Sequence, residues 1–116
     1  MNFVKLARVA KDVVEETLTG LPAEIRRAAD EVPVFFEPEP DEDDVAAGVE
    51  ADTLGLFDEG APEAPTPRIR LWLLNIWDFA EEDVEVFREE VRTTLLHELG
   101  HFFGWDEADL EERGLS

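Results

Sequence analysis

The chain has no cysteine and no tyrosine, only two histidines, and ten basic residues against 30 acidic ones. Without cysteine there is no disulfide framework, no thiolate metal site and no thiol nucleophile. The shortage of positive charge leaves a formal net charge of -20 at pH 7. Such a chain repels phosphate backbones and anionic lipid, so no nucleic-acid and no membrane partner is expected. Cations and basic or neutral partners suit it better. Long apolar runs are also missing. Charge interrupts Met1-Asn2-Phe3-Val4-Lys5-Leu6-Ala7-Arg8 too often for a signal-peptide core, and no stretch approaches a membrane span. A cytoplasmic protein is therefore expected.

What is present predicts an α+β domain. A length of 116 residues fits one domain, residues 1–116, and 44% apolar residues suffice for one modest core. Phe3, Leu6, Ala10, Val13, Val14 and Leu18 repeat with the spacing of one helix face over residues 2–19. Gly20 closes that helix, and Pro22 opens a second running to about Asp30. Residues 32–36 read as a short strand. From Glu37 to Glu63 inclusive stand eleven acidic residues and no basic one, so 37–64 is expected as a solvated, mobile acidic loop, with 53–57 apolar enough to pair as a strand. Residues 68–77 read as the best strand of the chain. Asp78 and Glu81 resemble a capping box opening a long helix to Phe103, with Val84, Val91, Leu95, Leu99 and Phe102 on its apolar side. A short helix after Asp106, closed by Gly114, ends the chain.

Both histidines lie in one pentapeptide, His97-Glu98-Leu99-Gly100-His101. Residues four apart on a helix project from the same side, one turn above the other. Two imidazoles so placed can hold one tetrahedral Zn²⁺, with Glu98 beside them in reach of a coordinated water. With two His and 19 Glu in the chain, random placement yields this pattern about 0.3% of the time. Glu90, Thr94, His97 and His101 form a polar stripe, giving the helix a second side to line a cleft. Gly104 permits a left-handed turn, after which residues 106–109 can return toward the metal with a third ligand.

His97-Glu98-x-x-His101-x-x-Gly104-x-x-Glu107 resembles the metzincin pattern. The chain as a whole is similar to the small zincin-like metallopeptidases called minimal zincins. Leu54-Gly55-Leu56-Phe57-Asp58-Glu59-Gly60, the strand around Ile69–Leu73, and Val91-Arg92-Thr93-Thr94-Leu95-Leu96 leading into the His helix carry that likeness. The resemblance implies a minimal zincin-like α+β fold with N-terminal helices, a small mixed sheet, a long active-site helix and a short C-terminal helix. It implies Zn²⁺ as cofactor, held by His97, His101 and Glu107, and a peptide or protein as substrate. Position 107 is Glu where the family usually carries Asp. Asp106 is the alternative ligand, although Asp at a helix N-cap has backbone amides to accept from.

Zn²⁺ held there lowers the pKa of a coordinated water to about 7. Glu98 is then placed to take the proton and pass it to a leaving amine. For oxyanion stabilisation the chain offers only Arg68, Arg70, Arg88, Arg92, Asn75, backbone amides or the metal, which points to a slow or narrow peptidase. Two other readings compete. One is a non-catalytic metal-binding acidic interaction domain, which has no use for a carboxylate beside an open water position. The other is a metal-dependent endoribonuclease. Gly104-Trp105-Asp106-Glu107 resembles the end of the ribosome-maturation endoribonuclease pattern, but that pattern has Gly where Glu98 stands and ends in His; the charge of -20 also opposes RNA.

Overall fold

The computed structural model describes residues 1–112, without the side chains of Glu107 and Leu110. Helix α1 spans Phe3–Thr19 and is capped by Asn2, whose side chain accepts from the Lys5 amide. Leu6, Ala10, Val13 and Val14 are its buried residues, as the periodicity predicts. Helix α2, Ala23–Ala29, follows Pro22. Strand β1, Val34–Glu37, then runs parallel to β3, Ala64–Trp72. Strand β2, Gly55–Ala61, pairs antiparallel with β3 on its other side, giving the sheet order β1-β3-β2. This is a small mixed sheet in an α+β fold.

Two corrections concern elements that depend on distant partners. The expected strand 68–77 stops at Trp72, and Leu73–Phe79 is a helix, α4. The last paired positions of β3 are Leu71 against Gly55 and Trp72 against Glu37. Pro38 follows at once, and its carbonyl accepts from the Leu74 amide. With no ladder on either side, the apolar run coils and buries Leu73 and Ile76 instead. The second correction is the acidic loop 37–64, which is not a plain loop but carries secondary structure. It holds helix α3, Glu42–Ala46, closed by a reciprocal capping box between Asp41 and Asp44, and all of β2. Pro65 and Pro67 lie inside β3, in the stretch that β1 does not reach. There a missing amide costs no ladder bond on that side.

One ion cluster ties the acidic segment to the sheet. The Arg70 side chain, only 8% exposed, binds Glu37 at 2.8 Å and Asp44 at 2.6 Å, and it lies over the Trp72 ring at 5.0 Å. The Arg70 guanidinium holds the Asp44 carboxyl down to about 2, and lowers that of Glu37 as well. These bonds span 26 and 33 residues.

Helix α5, Val84–Phe103, is the centre of the fold. Its cap is Asp83, which accepts from the Val86 amide, rather than the expected Asp78. Asp78 instead lies in the last turn of α4, and Glu81 and Glu82 turn the chain at φ of 55° and 60°. Val84 is partly exposed, and the buried side of α5 begins with Phe87, packed edge-on to Trp77. Helix α5 contacts α1 and α4 as well as β2 and β3. It is therefore buried on more than the one stripe expected. A left-handed Gly104 (φ 73°) ends it, with the Gly104 amide bonded back to the His101 carbonyl at 3.1 Å and the Trp105 amide to the Gly100 carbonyl at 2.8 Å. That double closure is a Schellman cap, and it returns the chain as α6, Glu107–Glu112, against α5. The expected closure at Gly114 lies outside the described residues. Among the described residues no helix is long and apolar enough to cross a membrane.

Candidate metal centre

The last two turns of α5 carry the chemistry. His97 and His101 sit one turn apart, their ring centroids 4.9 Å apart and nearly perpendicular at 82°. Their Nε2 atoms are 3.3 Å apart. Ligand bonds of about 2.0–2.1 Å at a tetrahedral Zn²⁺ place neighbouring nitrogens about 3.3–3.4 Å apart. The pair thus already has the spacing of one edge of a zinc tetrahedron. Ligating atoms of His97, Glu98 and His101 all fall within 4.8 Å of one another. Two imidazoles and a carboxylate are a borderline set that suits Zn²⁺.

Glu98 is 8% exposed, yet it is held by a backbone amide and, among the described residues, by no guanidinium. Its Oε1 accepts from the Phe57 N–H at 2.9 Å, across 41 residues. Phe57 belongs to β2, whose far side pairs with no strand among the described residues. That bond draws the free edge of β2 against the histidine helix. Gly55 allows the approach: a Cβ there would meet Thr94 Cγ2 at 2.6 Å and Leu71 Cδ2 at 3.1 Å. Thr94, expected in the polar stripe, is accordingly buried against the strand. The result is an open cleft of about 620 Å³ walled by Leu56, Phe57, Asp58, Glu59 and Gly60 on one side and by Glu98 and His101 on the other.

Asp58, in that wall, is itself paired. Its Oδ1 accepts from the Gly60 amide at 2.8 Å and its Oδ2 from Arg68 at 3.1 Å. The Gly60 amide first, and then the Arg68 guanidinium, lower its carboxyl below the usual range. Of the residues considered for oxyanion stabilisation, several are engaged elsewhere. Arg70 is in the ion cluster, Asn75 Nδ2 donates to the Ala51 and Thr53 carbonyls, and Arg88 pairs with Glu16. Arg68 is held beside the cleft by its pairing with Asp58.

Beyond the Gly104 turn, Asp106 and Asp109 form the expected reciprocal cap. The Asp109 amide donates to Asp106 Oδ1 at 2.9 Å, and the Asp106 amide to Asp109 Oδ2 at 3.1 Å. Asp106 is thus occupied at the start of α6, and Glu107 opens the helix. The expectation that the Glu107 carboxylate is a ligand lies outside the described side chains. What sequence reasoning missed is the Phe57 amide and the close approach at Gly55, since neither is encoded near the histidines.

A long helix bearing His-Glu-His beside the free edge of a small mixed sheet defines a zincin-type domain. Residues 29–115 match the zincin-like metallopeptidase family, and the chain belongs to it. No curated protein matches the chain.

Proposed function

We propose that this chain is a zinc-dependent metallopeptidase acting on peptide or protein substrates, in which His97, His101 and Glu107 hold the metal and Glu98 is the general base. The observation that carries this reading is the 3.3 Å separation of the two Nε2 atoms, with Glu98 beside them and Glu98 and His101 lining an open cleft. Zn²⁺, when bound, supplies a Lewis acid that acidifies water and polarises a carbonyl. The rest falls to the chain. Glu98 Oε1 is fixed by the Phe57 amide, so the carboxylate has a set orientation for taking a proton and delivering it to a leaving amine. The cleft faces a strand edge, where an extended peptide can add by main-chain hydrogen bonds. Asp106 serves α6 as its cap, which leaves Glu107 for the metal.

The Phe57 bond also supports a second reading, a metal-binding domain without catalysis in which Glu98 only ties β2 to α5. Glu98→Gln separates the two, because the amide oxygen still accepts from Phe57 while the base is lost. The zinc-loaded variant should keep its metal and lose cleavage of a peptide library by about 100-fold or more. Unchanged cleavage contradicts the role of Glu98. A wild type that binds zinc but cleaves nothing favours the second reading.

A further inference from the structure

The metal cleft continues into a second groove of about 320 Å³, lined by Phe57, Glu59, Pro65, Pro67 and Phe102. Phe57 and Glu59 border both spaces. The floor of the groove is apolar: Phe57 and Phe102 meet edge-on at 5.9 Å, and the two prolines complete the wall. The rim carries one charge, Glu59. Asp58, its neighbour, spends both carboxylate oxygens on Gly60 and Arg68. The Glu59 carboxylate takes part in no hydrogen bond or ion pair among the described residues. An apolar trough ending in an uncommitted carboxylate matches one kind of side chain, with an aliphatic stem and a cationic head.

We propose that this groove is a specificity subsite for an Arg or Lys side chain of a peptide lying in the metal cleft, the stem resting on Phe57, Phe102 and the prolines and the head meeting Glu59. The inference rests on the peptidase reading for its substrate, but the groove is a binding feature in its own right. Its charge complements a cation, and the net charge of -20 draws basic peptides to the surface. The groove lies along β2, so a strand-like peptide in the cleft passes its mouth.

The experiment is a titration of the zinc-loaded Glu98→Gln protein, which holds substrate without turning it over, with three blocked pentaalanine peptides whose central residue is Arg, norleucine or Glu. Binding is read by chemical-shift changes, at low and at high salt. Arg should bind about 5-fold or more tighter than norleucine, whose stem is similar but uncharged, and Glu weakest. Added salt should shrink the Arg advantage, because Glu59 is exposed. The double variant with Glu59→Gln should bring Arg and norleucine within about 2-fold of each other. Equal binding of Arg and norleucine, or an Arg preference that survives Glu59→Gln, overturns the subsite. Library cleavage by wild type reports separately on the peptidase reading. Cleavage without a basic preference removes the subsite alone, and an Arg preference in binding without cleavage removes the peptidase reading alone.

Discussion

Two polar clusters flank the same small sheet, and they are built on opposite plans. On the β1 side, Arg70 is closed off by Glu37 and Asp44, with Trp72 beneath it. A buried cation meets its own anions there, and the cluster is complete within the chain. On the β2 side, two imidazoles and a carboxylate are gathered within 4.8 Å, and the buried carboxylate is held by the Phe57 amide. All three groups are lone-pair donors, the kind a divalent cation completes. The first plan neutralises its charges within the chain, and the second gathers donors that no cation of the described residues neutralises. Charge alone does not separate the two, since acidic residues contribute to both.

The sharpest way to break the comparison is to remove the cation from the self-contained cluster. Arg70→Met leaves Glu37 and Asp44 facing each other without their cation, and it should destabilise the fold by about 3–5 kcal/mol in denaturant unfolding. The same cluster predicts an acid response. The folded Asp44 carboxyl titrates at about 2 against an ordinary 3.8. A depressed carboxyl contributes its stability fully above the ordinary value and loses it as pH falls from about 4 toward 2. The unfolding midpoint should drop across that window in wild type, and drop less in Asp44→Asn. Deleting 41–44 should likewise lower the midpoint, contrary to the expectation for a free loop.

A smaller effect is expected where β2 meets α5. Gly55→Ala places a methyl group 2.6 Å from Thr94 Cγ2, so the strand must move away from the helix. A cost of about 1–3 kcal/mol is expected, together with weakened protection of the Phe57 amide in hydrogen exchange. Normal protection of that amide would mean the strand tolerates the methyl without shifting. The smallest effect belongs to the α6 cap. Asp106→Ala should cost about 1 kcal/mol and leave zinc affinity nearly unchanged, whereas Glu107→Ala should weaken zinc about 10-fold or more. The reverse ranking in a chelator competition would make Asp106 the ligand.

Local patterns in the chain carried much of this. The apolar period of α1, the i, i+4 histidines, the Gly104 turn and the Asp106–Asp109 cap each rest on residues only a few positions apart, and the structure has each of them. The readings that failed depend on partners far along the chain. Residues 73–77 look like strand until one knows that both neighbours of β3 stop beside Leu71 and Trp72. Residues 41–44 look like solvated loop until Arg70 closes over Asp44. At the site, the helix half was readable and the strand half was not, because the Glu98–Phe57 bond joins residues 41 apart.

The central claim, that the histidine pair holds a metal, has one direct test: zinc content and affinity of wild type, His97→Ala and His101→Ala by metal analysis and competitive chelator titration, with folding checked by circular dichroism. Folded wild type should carry about one Zn²⁺ per chain, and each folded variant should lose affinity by about 100-fold or more, beyond the effect of outer-shell changes. Folded wild-type protein that takes up no zinc, or variants that hold it as tightly as wild type, would contradict the account.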